Sequence, residues 1–353
     1  MGDYGKVVTG NTPPTKDIEN YENGTYLWAS PADLGTHKLI SETKTKLSSK
    51  GFTKTRPLSK GSVLVTCIGS TIGKTGMATR EMSTNQQINS IVVNENNDNE
   101  FVYYVVQSAF PHYLSSIAVQ AVPIISKSSF ELLPSKRPSL QEQNKIGKFL
   151  SLLDERISTQ HRLIEDLKKL RCAVSNKLFQ SVKGVVIPLS GISNIVKGKQ
   201  INGDFLAEVG EYYVMNGGTE PSGYYDNYNV EANTISISEG GNSCGYVQFN
   251  RMPFWSGGHC YTIQDIVSDV ETLYLYHYLK SKEDSIMKLR IGTGLPNIQK
   301  KDLAEFKVII PAIEQQRTIS NILSLLERKT EIEGRMLISM RTEKQYLLHQ
   351  MFI

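Results

Sequence analysis

Asn85-Gln86-Gln87 and Asn89 gather several carboxamides in one short stretch. A carboxamide donates and accepts at once, so it can pair bidentately with an adenine edge; solvated turn amides are the plain alternative. Tyr224-Tyr225-Asp226-Asn227-Tyr228 is a polar aromatic run able to contact sugar and base, or to cap a core. Lys127 and Lys300-Lys301 stand at matched places before two long helical patterns and could hold phosphates, or simply be solvated. Other constellations fall short of chemistry. Gly69-Ser70-Thr71-Ile72-Gly73-Lys74-Thr75 has three residues between its glycines where a phosphate-binding loop needs four. Asn11-Thr12-Pro13-Pro14-Thr15 lacks the aromatic that would stack on a flipped base. Asp33 with Glu42-Thr43-Lys44 loosely matches the acids and lysine of a metal-dependent nuclease. His259-Cys260 has no further ligands at metal spacing and reads as a turn feeding a strand. These residues point to binding rather than catalysis.

Composition sets the bounds. The 353 residues suffice for two or three domains, and 39% hydrophobic with 21% charged residues is ordinary for a globular protein. No run approaches a membrane span, and Met1-Gly2-Asp3-Tyr4 lacks the basic and apolar regions of a secretion signal. Cys67, Cys172, Cys244 and Cys260 are widely separated and read as free, buried thiols. A cytoplasmic protein is expected. The net charge of +4 is unevenly spread: +3 over residues 1–137, +4 over 138–183, −4 over 184–310 and +1 over 311–353. A modest basic excess permits nucleic-acid binding without demonstrating it.

The elements that would position these residues come in duplicate. Adding 173 to the numbers of Pro123 to Gln180 gives Pro296 to Ile353 without a gap. Pro138, Gln143, Ile146, Leu150, Leu153 and Phe179 thereby meet Pro311, Gln316, Ile319, Leu323, Leu326 and Phe352. Such a period is too long for a solenoid and indicates two whole modules. Each runs from a strand-rich globular part through a proline into a long helix. Ile146, Leu150, Leu153, Ile157, Gln160, Ile164, Leu167, Arg171, Val174 and Leu178 follow alternating steps of four and three, the spacing of a coiled-coil seam. The second seam is Ile319, Leu323, Leu326, Thr330, Glu333, Leu337, Met340, Lys344, Leu347 and Met351. Helices of this length, roughly 55–60 Å at 1.5 Å per residue, most economically bury these seams on each other as an antiparallel pair. Ser62–Ile68 and Thr234–Ser238 read as β-branched strands, each running into a glycine loop, and Lys6–Gly10 is echoed by Asn194–Gly198. The fold expected is α+β: two mixed α/β globular domains separated by an antiparallel coiled coil, over 1–137, 138–183, 184–310 and 311–353.

With the paired junctions in place, the whole chain resembles the specificity subunit of type I restriction-modification systems. Its most specific elements are Pro138-Ser139-Leu140-Gln141-Glu142-Gln143 through Asp154 and Pro311-Ala312-Ile313-Glu314-Gln315-Gln316 through Glu327. Lys6 to Pro13 and Ser62 to Lys74, with Asn85-Gln86, look like the family's target-recognition domains. The second domain departs more, with Pro253–His259 where the first has Met82–Ile88, and the chain starts close to its first family-like strand, without a few upstream residues seen in many members. The resemblance implies a non-catalytic subunit whose two domains each read half of a bipartite site on double-stranded DNA. The candidate DNA contacts are then Lys6, Thr12, Thr71, Lys74, Asn85, Gln86, Gln87 and Lys127 in the first module. In the second they are Lys199, Tyr224, Tyr225, Asn242, His259 and Lys300. The helices, through Gln143, Ile146, Leu150, Leu153 and Ile157 and through Gln316, Ile319, Leu323 and Leu326, would set the gap and dock two DNA adenine methyltransferase subunits. Those partners would bind S-adenosylmethionine, and a motor-nuclease subunit would bring ATP and Mg; this chain itself needs no cofactor or metal. A coiled-coil scaffold without DNA binding, and a nuclease using Asp33, Glu42 and Lys44, are the competing classes.

Overall fold

The computed structural model describes residues 1–116, 124–292, 294 and 296–352; Pro123 and Ile353, which bound the repeated stretches, lie outside them. The chain forms two compact units, residues 1–161 with 336–353, and residues 162–335.

The first unit opens with strand β1 (Gly5–Thr9), followed by β2 (Tyr26–Ala29), β3 (Leu39–Ile40), β4 (Thr45–Leu47) and helix α1 (Ser49–Thr53). Then come β5 (Val63–Thr66), β6 (Thr75–Ala78), β7 (Ser83–Thr84), β8 (Ile88–Val93), α2 (Asn99–Ser116), α3 (Lys127–Glu131) and the long α4 (Leu140–Ser181). The main sheet has the order β1-β8-β5-β6-β3, antiparallel except for β3 beside β6. Its central strand β5 is buried throughout. Val63 and Val65 join Phe101, Tyr103 and Leu150 in one core, while Leu64 faces Leu27, Leu34 and Met82 in another. A strand covered on both faces reads as a near-continuous apolar run, as Val63-Leu64-Val65 does before the buried Thr66. A small sheet β4-β2-β7 stands beside it, with β2 and β7 parallel.

The second unit repeats the plan. Its strands are β9 (Val185–Pro188), β10 (Asn194–Lys197), β11 (Tyr212–Met215), β12 (Tyr224–Tyr225), β13 (Thr234–Ser238), β14 (Val247–Asn250), β15 (Trp255–Ser256), β16 (Cys260–Gln264) and β17 (Lys307–Ile310). Its helices are α5 (Thr272–Ser281), α6 (Glu283–Met287), α7 (Lys300–Ala304) and the long α8 (Ile313–Phe352). The sheet β10-β16-β13-β14 matches β1-β8-β5-β6 strand for strand, and β12-β11-β15 matches β4-β2-β7, including the single parallel pair. The extra pair β9–β17 is antiparallel.

Both units contain a stretch of each long helix. In the first, Ile146 and Leu150 of α4 share a core with Leu348 and Phe352 of α8. In the second, Val174, Leu178 and Phe179 of α4 pack with Ile319 and Leu323 of α8. The start of one helix meets the end of the other, so they run antiparallel. Every seam position anticipated from spacing is buried or half-buried except Met351, which is 38% exposed. The polar positions are matched as well. Lys344 Nζ lies 2.6 Å from Asp154 and Arg171 Nη1 lies 3.0 Å from Glu327. Tyr104 and Tyr276 donate their hydroxyls to the same two carboxylates at 2.6 and 2.8 Å. Partly exposed ion pairs contribute about 0–1 kcal/mol, so these serve register more than stability.

The Pro-to-Gln junction has a physical reason. Gln143, 1% exposed, donates to Pro138 O at 2.9 Å and to Asn97 Oδ1 at 3.1 Å, and accepts from the Asp98 amide at 3.1 Å. Gln316, fully buried, donates to Pro311 O and Asp269 O, both at 2.9 Å, and accepts from the Glu271 amide at 2.8 Å. Each glutamine ties the first turn of its long helix to the start of α2 or α5. A Cβ on Gly147, one turn further, would stand 2.8 Å from the Phe101 amide, so the helix approaches as closely as glycine permits. The thiols divide differently from expectation. Cys67, Cys244 and Cys260 are free and buried, but Cys172 is free and exposed, because it sits on the outer face of α4. Burial pushes the Cys67 thiol up to about 12 and that of Cys260 up to about 11, which keeps both unreactive.

Candidate nucleic-acid interface

In the first unit the loop after β7 carries the carboxamides. Asn85 is buried at 7% exposure, accepts from the Gln87 amide and donates to Gln87 Oε1, both at 3.0 Å. It therefore shapes the loop. Gln86 is exposed and accepts from the Thr12 hydroxyl at 2.5 Å, joining the segment after β1 to this loop. Gly10 makes that approach possible: a Cβ there would lie 2.3 Å from Thr84 O. The β5–β6 hairpin adjoins, since the Cys67 amide donates to Gln87 O at 2.8 Å and Gly69 lies near the Gln87 side-chain Nε2. Gly69 and Gly73, at φ +96° and +89°, turn this hairpin into β6, presenting Thr71 half-exposed and Lys74 exposed. A strand, not a helix, follows these glycines, so the loop offers no helix N-terminus to a phosphate. Thr12, Thr71, Gln86 and Gln87 are thus brought together on one rim. Lys127 enters by another route: the Ile125 amide donates to Cys67 O at 2.8 Å, and Lys127, paired with Glu131 at 3.6 Å, begins α3 just beyond. Lys6 is apart, exposed toward the other end of β1 where it is opposite Val92.

The second unit builds the same place from different chemistry. Gly198 stands where Gly10 does, with its missing Cβ 2.5 Å from Ser256 O. This aligns Met82 with Phe254 and Thr84 with Ser256, one residue later than the sequence comparison placed them; the bridges Leu58–Met82 and Val230–Phe254 agree. The carboxamide loop is replaced by Gly257-Gly258-His259, with the His259 amide donating to Asn216 Oδ1 at 3.1 Å and the imidazole exposed. Tyr225 stands edge-on to Trp255, 5.2 Å between centroids, and the Trp255 indole donates to Lys199 O at 2.9 Å. Lys199 and Tyr225 thus meet at Trp255, Tyr224 lies opposite Tyr213 on the other face of β12, and His259 stays with Asn216. Asn242 projects from the β13–β14 turn. Lys300 approaches through a bond equivalent to that in the first unit, the Ile298 amide on Glu239 O at 2.8 Å.

Sequence reasoning missed Glu239. It is 8% exposed, accepts from Lys197 Nζ at 2.6 Å and from the Tyr261 hydroxyl at 3.1 Å, and its other oxygen lies 3.9 Å from His259 Nδ1. The corresponding residues of the first unit are neutral: Thr9 donates to Asn89 at 2.6 Å and Cys67 stands at the Glu239 position. A carboxylate closing the strand Thr234-Ile235-Ser236-Ile237-Ser238 was the available signal. The acids weighed for a nuclease have local duties. Asp33 accepts from the Ser30 amide and hydroxyl and from the Lys44 amide at 2.8–2.9 Å, and exposed Glu42 pairs with Lys46 at 2.7 Å. Among the described residues no three His, Cys, Asp or Glu side chains gather to hold a metal, and no helix is long and apolar enough to cross a membrane.

Two related rims, each built on the same pair of sheets and tied to the long helices by the same glutamine, define a duplicated architecture. Comparison with known proteins gives the family. The sequence pattern of the type I restriction modification DNA specificity domain matches residues 1–169 and 182–339. The chain belongs to this family, the non-catalytic DNA specificity subunits of type I restriction-modification enzymes. A type I specificity subunit of Mycoplasma pneumoniae is 31% identical over 166 residues, 46% of this chain and 44% of that protein. The chain is thus matched over less than half of that relative's length. One from Mycoplasma genitalium is 24% identical over 72% of this chain and 71% of its own. The MjaVIII specificity subunit of Methanocaldococcus jannaschii is 23% identical over 94% and 86%. A crystal structure of a type I S subunit from M. genitalium superposes with a TM-score of 0.68 at 22% identity, covering 99% of this chain and 93% of that one. A chain solved in work on type I complex assembly gives 0.61 at 16% identity, covering 98% and 96%. These likenesses show a shared fold.

Proposed function

We propose that this chain reads a bipartite, asymmetric DNA site and delivers partner enzymes to it. Residues 1–137 and 184–310 act as target-recognition domains, and 138–183 and 311–353 as the spacer that fixes the gap. In the first domain Gln86 and Gln87 read base edges, with Thr12 holding Gln86, Asn85 bracing Gln87, and Thr71 and Lys74 on the flanking hairpin. In the second domain His259, Asn242, Tyr224, Tyr225 and Lys199 carry the contacts. Lys127, Lys300 and Lys6 hold backbone phosphates, which position the chain without reading sequence.

The observation that carries this reading is the duplicated rim: one topology, with a carboxamide surface in one copy and an imidazole-aromatic surface in the other. Two half-sites of different sequence require that combination. The helices also bear apolar side chains turned away from the seam. Phe149, Leu152 and Leu163 on α4, and Ile322, Leu325 and Met336 on α8, are 38–67% exposed at positions matched by the repeat. An exposed stripe presented twice suits two copies of one partner. Those partners are adenine methyltransferase subunits holding S-adenosylmethionine, joined in the restriction complex by a motor-nuclease subunit that uses ATP and Mg.

The test is methylation mapping of DNA exposed to this chain with a cognate modification subunit. Gln86→Ala with Gln87→Ala is expected to relax or change one half of the methylated site and leave the other intact, and Asn242→Ala with His259→Ala the reverse. Loss of one good bidentate base contact costs about 1–3 kcal/mol of discrimination. If neither pair alters the mapped sequence, these rims are not the readers.

A further inference from the structure

Glu239 and His259 face each other one step beyond the β13–β16 ladder, where the Glu239 amide donates to His259 O at 2.9 Å. Side chains directly opposite on an antiparallel pair share one face, about 5 Å apart at Cβ. Lys197 Nζ at 2.6 Å and the Tyr261 hydroxyl at 3.1 Å both donate to Glu239 Oε1. Oε2 is buried, has no hydrogen-bond partner among the described residues, and lies 3.9 Å from His259 Nδ1. A buried carboxylate oxygen left unmatched is costly, and it can only accept. The imidazole is the neighbour able to satisfy it. Its side chain is 64% exposed, and its stem is fixed by the bond from its amide to Asn216 and by Gly217 against its Cβ. The ring has room to turn through the remaining gap. In the first unit Cys67 and Gln87 hold these two places, with the Cys67 amide on Gln87 O. There the Gln87 backbone amide must donate, so the Asn85 atom it meets is the oxygen, and the Asn85 nitrogen donates to Gln87 Oε1. Gln87 keeps its NH2, a donor, for a ligand.

We propose, on the reading that this rim meets bases, that Glu239 is a positioning residue which holds His259 as its Nδ1–H tautomer. Nε2 then faces the major groove as an acceptor and takes the exocyclic amino group of an adenine or a cytosine. The units thus differ in the sense of a hydrogen bond as well as in residue type. The Gln87 NH2 fits the carbonyl edge of guanine or thymine, and His259 Nε2 fits an amino edge. Glu239→Gln inverts the second case without changing shape. Its amide oxygen keeps Lys197 and Tyr261, while its NH2 takes the place of Oε2 and donates to Nδ1, which moves the ring proton to Nε2.

The test has two arms. In the full chain carrying nitrogen-15-labelled histidine, long-range proton–nitrogen spectra at about pH 8.5 report the tautomer of each neutral ring. The signal missing from His259→Ala is that of His259. The wild-type ring is expected to favour Nδ1–H by at least about tenfold, and the Glu239→Gln ring to favour Nε2–H. In methylation mapping with a cognate modification subunit, Glu239→Gln should exchange adenine or cytosine for guanine or thymine at one position of one half-site. The preference there should change by at least about tenfold, while the other half-site stays as it was and shows the complex to be assembled. A wild-type ring in the Nε2–H form overturns the proposal, and so does an unchanged base preference in Glu239→Gln. His259→Ala separates the two levels. If it relaxes one position while Glu239→Gln changes no base, the pairing with Glu239 is wrong and the rim still reads. If it is silent, His259 reads no base, and the rim reading fails too when Asn242→Ala with His259→Ala is also silent.

Discussion

Gln143 and Gln316 show how one side chain joins two kinds of structure. Each satisfies a carbonyl before its long helix and an amide at the start of another helix, all out of reach of water. Removing such a residue leaves buried polar groups unmatched, at about 1–3 kcal/mol each. Gln316→Ala should therefore lower stability by about 2–4 kcal/mol, read from the urea midpoint. A loss under about 0.5 kcal/mol would remove the junction from the account. His277 offers a second test. It is buried beside Ser324, and burial first, with Arg171 and Arg251 adding, lowers its imidazole to about 4. Between about pH 6.5 and 4 the unfolded chain then binds a proton that the folded chain refuses. That contribution to stability is intact above 6.5 and declines as pH falls toward 4, by about 3 kcal/mol in all. His277→Gln should flatten this slope in denaturant titrations across that interval; an unchanged slope would mean that other groups cause it.

At the scale of elements, the seams were readable because a four-three spacing has one helical solution, and burial follows it at every position but Met351. Leu153 and Leu326 lie half-buried on these seams. Leu153→Asp or Leu326→Asp puts a charge into that stripe and should cost about 2–4 kcal/mol, seen as a lower melting temperature by circular dichroism. On the proposed function, methylation with the partner subunit should fall with it, while an unchanged melt and full activity would contradict the spacer role. The glycine turns were also legible, since both hairpins need positive φ. The small sheets were not. Two-residue strands such as β7 and β15 have no periodicity to read, and their parallel pairing with β2 and β11 joins residues more than 40 apart. Asn85 looked like a contact residue but is used inside its own loop, a distinction that composition does not carry.

For the whole molecule, duplication was the most legible property and recognition the least. The offset of 173 holds from Asp98 and Glu271, whose amides meet the two junction glutamines, to the ends of both long helices. Before that point the copies keep their topology while exchanging chemistry, Thr9 with Asn89 for Lys197 with Glu239 and Tyr261. The sheets keep one order and pairing in both units, while the loop Asn85-Gln86-Gln87 of one stands where the other has Gly257-Gly258-His259. That is why sequence comparison located the rims yet slipped by one residue at Met82 and Phe254.

The junction glutamines have a consequence for ancestry. A head grafted at this boundary must offer that side chain a donor and an acceptor together, as the Asp98 amide with Asn97 Oδ1 and the Glu271 amide with Asp269 O do. If the heads read DNA as proposed, one exchanged at this boundary would bring its own half-site with it and leave the helical chassis untouched.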